Sequence, residues 1–241
     1  MQKRVLAAAI YAWGGGVVFV AALAYFAYTF VITMGMEVPP GTPGTGARAI
    51  LTDVALFAVF AVHHSAYARE RVKRGVAQAV TPSLERSTYV WVASLLFILV
   101  CAAWQPVGGT LYDHRGVLAW FHYLFVAAGV ALTAVGVSRL KAFDLAGIAR
   151  ARGGAGAREA NAPLVAAWPY TLVRHPIYLA WLLIVFGLPT MTATRFVFAC
   201  VSSAYLVLAV PLEERLLVKQ FGEVYRRYQR EVRWRMLPYV Y

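Results

Sequence analysis

VLAAAIYAWGGGVVFVAALAYFAYTFVI, residues 5–32, contains not one charged side chain. A helix rises about 1.5 Å per residue, so a run of this length more than covers the ~30 Å hydrocarbon layer of a bilayer. The run follows Lys3-Arg4, is too long for a signal peptide and lacks a well-placed small-residue cleavage site, so it reads as a retained first span. Working outward, further apolar runs fall at 49–63, 88–104, 117–138, 177–190 and 194–211, separated by segments rich in glycine, proline or charge. The second and fifth are short. The fifth and sixth read either as two tilted spans or as a hairpin turning at Leu188-Pro189-Thr190, which sets the count at five or six. With 61% hydrophobic and 14% charged residues among 241, the expectation is an all-α polytopic membrane protein forming a single integral membrane domain over 1–241.

The net charge of +12 invites a nucleic-acid reading, but no recognisable binding module accompanies it, and the position of the charge has another explanation. Of the 23 Lys and Arg residues, all but Arg48, Arg115 and Arg195 lie at the N-terminus or in the alternate segments 64–87, 139–176 and 212–241. That split obeys the positive-inside rule and places both termini in the cytoplasm, with contact to anionic membrane lipid as a secondary effect. Cys101 and Cys200 both fall inside apolar runs and read as buried free thiols. The glycine-rich stretches 41–46 and 150–158 read as an outer and an inner loop. Neither follows a strand or opens a helix with nucleotide-binding spacing, so any ligand site must be built from helices and their ends. From Phe221 to Trp234, apolar and aromatic groups recur every three or four residues between basic ones, the pattern of a C-terminal amphipathic helix on the inner membrane surface.

The chemistry-bearing residues gather at the expected cytoplasmic edge. Arg174-His175-Pro176-Ile177-Tyr178 opens an apolar run. Proline suits a first helical turn, which leaves Arg174 and His175 where backbone donors favour an anion. Glu213-Glu214 closes the last run; a carboxylate pair beside lipid needs a cationic partner, either Arg174 or a cationic ligand. His63-His64-Ser65 ends the second run and Glu85-Arg86 opens the third, and a histidine there has a pKa suited to accepting a proton near neutral pH. Adjacent histidines point in different directions on a helix and no third ligand is evident, so no metal site is expected.

The ordered set Tyr170, Arg174-His175-Pro176-Ile177-Tyr178, Glu213-Glu214, Phe221-Gly222, Tyr225, Tyr228 and Leu237-Pro238 resembles the isoprenylcysteine carboxyl methyltransferase and phospholipid methyltransferase superfamily over roughly 160–241. The rest of the chain is most similar to its bacterial methanethiol S-methyltransferase subgroup, through Phe60-Ala-Val-His-His64-Ser65, Glu85-Arg-Ser-Thr-Tyr89, Trp104-Gln-Pro106, Phe143-Asp144-Leu145 and Pro189-Thr-Met-Thr192. The resemblance implies that 160–241 binds S-adenosylmethionine through Tyr170, His175, Pro176, Ile177, Tyr178, Glu213 and Glu214, with Leu164 and Val165 as wall residues. Superfamily members that methylate a prenylcysteine carboxylate carry an arginine one turn before the acidic pair. Here that turn is Leu208-Ala209-Val210, which favours a small thiol or another lipophilic acceptor over a carboxylate. On that basis His64 is expected to accept the thiol proton, with Arg86 or Arg174 favouring the anion. A prenylcysteine or phospholipid-amine methyltransferase, and a non-enzymatic transport or regulatory protein on the same scaffold, remain as alternatives.

Overall fold

The structure, a computed structural model, describes residues 2–140, 147–151 and 164–241. The inner stretch 152–158 and the motif residues 143–145 lie outside them. In chain order the elements are α1 (Gln2–Tyr28, continued by a wider π turn, Thr29–Thr33), α2 (Ala47–Tyr67), α3 (Glu70–Ala79), α4 (Glu85–Ala103), β1 (Thr110–Asp113), α5 (Val117–Arg139), α6 (Ile148–Ala151), α7 (Pro176–Phe186), β2 (Thr190–Thr192), α8 (Ala193–Phe221) and α9 (Glu223–Glu231). Among the described residues, five helices are long and apolar enough to cross a membrane: Val5–Thr33, Ala47–Tyr67, Glu85–Ala103, Val117–Arg139 and Ala193–Phe221. Large apolar side chains such as Leu51, Val62, Trp120, Leu124 and Leu208 point outward from them, an arrangement that water would punish and lipid accommodates. The chain is an all-α polytopic membrane protein.

Four expectations change. The second run, short in the sequence, belongs to a full 21-residue helix, because polar ends that hydropathy discounts are still helical. The turn after the fifth run is not a bare hairpin: β2 pairs antiparallel with β1, matching Thr110 to Thr192 and Asp113 to Thr190. Glu213 and Glu214 do not end the last span but lie inside α8, which runs through Pro211 for 29 residues. Cys101 is buried as expected, whereas Cys200 is exposed on the outer face of α8.

The described residues pack as two compact units, 2–36 with 44–106 and 147–151, and 37–43 with 107–140 and 164–241. In the first, α4 packs against both α1 and α2. The indole of Trp91 lies against Gly14 and Gly15, where a Cβ would come within 2.9 and 3.0 Å of the ring, and its Nε1 donates to the Tyr11 carbonyl at 3.0 Å. Phe26, Phe97 and Phe60 form a continuous aromatic contact, with centroids 5.5 and 5.3 Å apart. Asp53, fully buried on α2, accepts from the backbone N–H of Gln105 at 2.7 Å and so secures the chain just past the end of α4.

The central contact of the second unit is α5 against α7. α7 has only 11 residues, about 16 Å of rise, so it cannot span alone. It rests instead on two glycines. A Cβ at Gly129 would meet the Ala180 carbonyl oxygen and Ile184 at 2.8 Å, and one at Gly136 would meet Ile177 at 3.0 Å. Small residues let two backbones approach closely where no hydrophobic effect draws apolar helices together. Gly129→Leu is therefore expected to separate α7 from α5 and lower stability by about 1–3 kcal/mol, read as a reduced unfolding midpoint of the detergent-solubilised protein.

Candidate functional site

The site is built where α7 begins, where α8 carries its acidic pair, and where the chain after α9 returns. His175 is the residue before α7 and Pro176 its first, as the fixed φ of proline favours. The backbone N–H groups of Arg174 and His175 donate to the carbonyls of Trp234 and Arg235, at 2.9 and 2.8 Å, so the tail is stitched alongside the start of α7. Pro211 cannot donate to the Val207 carbonyl one turn earlier in α8, and the Tyr241 hydroxyl donates to that oxygen instead, at 3.4 Å. The Tyr241 carbonyl in turn accepts from the N–H groups of Arg235, Met236 and Leu237.

Inside this frame Arg174 and Glu214 form a buried ion pair, Nε to Oε1 at 2.6 Å, with side chains 7% and 6% exposed. Nη1 of Arg174 also donates to the Val232 and Arg233 carbonyls, at 2.7 and 2.9 Å. The other carboxylate oxygen of Glu214 takes Gln229 Nε2 at 3.2 Å and lies 3.4 Å from Arg235 Nε. Both of its oxygens are thus engaged by the protein. Glu213, the next residue, is different. Its side chain is 46% exposed; Oε2 accepts from the Tyr178 hydroxyl at 2.7 Å and lies 3.6 Å from His175 Nδ1. The rings of His175 and Tyr178 stack nearly parallel, 5.2 Å apart.

Beside the pair lies an aromatic cluster of Tyr170, Tyr225, Tyr228 and Val232, onto which Leu164, Val165, Leu217, Val218 and Phe221 pack. Tyr228 donates to the Tyr170 carbonyl at 2.6 Å, and Tyr170 to the Gly136 carbonyl at 3.3 Å. Burial pushes the Tyr170 phenol up to about 12, and burial raises Tyr225 and Tyr228 as well. All three therefore stay protonated, as donors, at neutral pH. Tyr225 and Tyr228 of α9 turn into this cluster and are buried.

The structure brings Tyr170, Arg174, His175, Tyr178, Glu213 and Glu214 into one neighbourhood, with Leu164 and Val165 on the adjoining cluster. Pro176 is buried in the helix start, and Ile177 turns toward Gly136 of α5. His64 and Arg86 belong to the first unit, where both meet Tyr89: His64 Nδ1 lies 2.8 Å from its hydroxyl, and the Arg86 guanidinium stands 5.3 Å from its ring centroid. Gln229 and Arg235 escaped the sequence reading, and Tyr225 entered it only as a motif residue with no part in the site. They join the acidic pair only because the chain folds back after α9, and no local pattern announces that return.

No protein-family model and no solved structure matches the chain. Curated proteins do. It is 34% identical to methanethiol S-methyltransferase 1 of Bradyrhizobium diazoefficiens over 85% of its own length and 74% of the relative's. The methanethiol S-methyltransferase of Crocosphaera subtropica is 35% identical over 80% and 76%, and that of Mycobacterium tuberculosis 34% over 77% of each chain. The chain belongs to the methanethiol S-methyltransferase family. In this methanethiol S-methyltransferase relative the two adjacent glutamates have different surroundings, and their substitutions should separate accordingly. Glu214→Gln leaves the buried Arg174 cation without its counter-charge and is expected to lower unfolding stability by about 3–5 kcal/mol. Glu213→Gln, at a half-exposed position, is expected to change it by less than about 0.5 kcal/mol. Thermal or denaturant unfolding of both variants in detergent reads the difference.

Proposed function

We propose that this protein is an S-adenosylmethionine-dependent thiol S-methyltransferase of the membrane, acting on a small thiol of the methanethiol type. Its family is named for that reaction, and the observation that carries the reading in this chain is the half-exposed Glu213 carboxylate, held by Tyr178 beside His175 and next to the buried Arg174–Glu214 pair. The donor set fits S-adenosylmethionine. A zwitterionic, sulfonium-bearing molecule needs an exposed carboxylate for its ammonium and an aromatic, water-poor wall for the rest, and Glu213, the His175–Tyr178 stack and the Tyr170 cluster with Leu164 and Val165 offer both. The bound cofactor would supply a methyl group already activated by its sulfonium.

What remains for the protein is to orient, to exclude water and to enlarge the thiolate fraction. Tyr178 keeps Glu213 aimed by donating to it, and Arg174 fixes Glu214 and the returning tail, so its part in the site is to position. For the thiol proton we assign His64. The Tyr89 hydroxyl, 2.8 Å from Nδ1, holds the imidazole, and Arg86, over the ring of the same tyrosine, favours the anion. The absence of a cation in Leu208-Ala209-Val210 supports a thiol over a carboxylate acceptor. The distribution of Lys and Arg supports an inner-membrane orientation with both termini and the cofactor site cytoplasmic.

The direct test incubates purified protein with labelled S-adenosylmethionine and a mixed pool of methanethiol, larger thiols, phospholipids and prenylcysteine analogues, followed by mass spectrometry. Dimethyl sulfide is the expected major product, and labelled lipid or prenylcysteine ester in its place would overturn the acceptor assignment. His64→Ala is expected to lose about a hundredfold in rate at pH 7. The deficit should shrink between pH 7 and pH 9, as the thiolate fraction formed without a base grows with each step in pH. Wild-type rates across that range would remove the role.

A further inference from the structure

Tyr225 is 1% exposed, and its hydroxyl meets no hydrogen-bond partner among the described residues. Buried hydroxyls are nearly always paired, and one that is not calls for an explanation. Its neighbours sharpen the anomaly. Tyr228 and Tyr170, in the same cluster, each donate to a backbone carbonyl, at 2.6 and 3.3 Å. Tyr225 instead lies within electrostatic reach of Glu214, Arg174 and Glu213 without bonding to any of them. Glu214 has no need of it, since Arg174, Gln229 and Arg235 already face both of its oxygens.

We propose that Tyr225 is a cofactor-binding residue whose hydroxyl donates a hydrogen bond to the carboxylate at the amino-acid end of S-adenosylmethionine. The inference rests on the cofactor reading above. That end of the molecule carries an ammonium and a carboxylate on one carbon, so a site that takes the ammonium on Glu213 must offer a donor to the carboxylate close by. Arg174 has Nε and Nη1 committed to Glu214 and to the Val232 and Arg233 carbonyls. The buried phenol is a donor with no competing bond, and it remains protonated. The arrangement also carries a thermodynamic signature: a hydroxyl that serves a ligand and not the fold can be deleted without weakening the cofactor-free protein.

The experiment titrates S-adenosylhomocysteine and, separately, 5′-methylthioadenosine, which lacks the amino-acid end, into wild type and Tyr225→Phe by calorimetry, with thermal unfolding of the cofactor-free proteins alongside. The expected result is a Tyr225→Phe protein at least as stable as wild type, whose Kd for S-adenosylhomocysteine is weakened about tenfold, the worth of one hydrogen bond to a charged group. Its Kd for 5′-methylthioadenosine should be unchanged. Equal weakening for both ligands would move the bond away from the amino-acid end and overturn the assignment. Loss of stability would show that the hydroxyl serves the protein itself, and an unchanged Kd for S-adenosylhomocysteine that it does not meet the ligand; either would overturn the assignment too. Failure of the wild type to bind S-adenosylhomocysteine would sink the cofactor reading, an outcome visible before the variant is measured.

Discussion

A guanidinium and a carboxylate withdrawn from water are each intolerable alone and acceptable only when paired and fully hydrogen-bonded. Arg174 and Glu214 meet that condition at 2.6 Å, and the rest of the site follows from how they meet it. Arg174 needs acceptors beyond the single carboxylate, so the chain after α9 must deliver the Val232 and Arg233 carbonyls. Glu214 needs donors for its second oxygen, so α9 must present Gln229 and the tail Arg235. Loss of any one of these would leave a buried charge short of a partner. The path of residues 222–241 is in this sense dictated by two side chains that precede it.

The pairing also divides labour between two chemically identical neighbours. Adjacent residues on a helix face different ways, so Glu213 and Glu214 cannot share one environment. Glu214 turns into the protein and is saturated; Glu213 turns outward, and its protein hydroxyl donor is Tyr178. The short helix that carries Tyr178 is held in place by the glycine contacts of α5, which links a packing feature at Gly129 and Gly136 to the aim of a carboxylate two elements away.

The fold class was legible because hydrocarbon solvent imposes a length and a charge rule that a sequence cannot conceal, and the five long helices lie where uncharged runs lie. Boundaries were less so. Hydropathy stops at the first charge, while a helix ignores it, which is why α2 and α8 outrun their apolar cores and why the acidic pair sits within a helix. The amphipathic α3 and the β1–β2 pairing were missed, since each depends on neighbours that a local pattern does not contain. In the candidate site, Arg174, His175 and the two glutamates were readable from residue type and position beside an apolar run, and Tyr178 from the motif that carries the resemblance. The separate surroundings of Glu213 and Glu214, the engagement of Arg174 by backbone carbonyls, and the unpaired Tyr225 hydroxyl were not. Each arises from contacts between residues far apart in sequence, and the same spacing would suit a solvated helix end. Arg195 shows the reverse error: read as part of an outer connection, it is buried in the first turn of α8, donating to the Thr190 carbonyl at 2.6 Å.

The stitching of residues 232–241 to the start of α7 has a bearing on biosynthesis. The ribosome makes Arg174 58 residues before the Val232 carbonyl that it needs. Until those later residues emerge, a cation destined for the interior has neither its carboxylate nor its carbonyls, while α1, α2 and α4 already have one another. The second unit must therefore stay open during synthesis and close only once the strand of chain after α9 has been released. A ribosome stalled between residues 190 and 230 would hold a protein whose first unit is packed and whose Arg174–Glu214 site is not yet assembled.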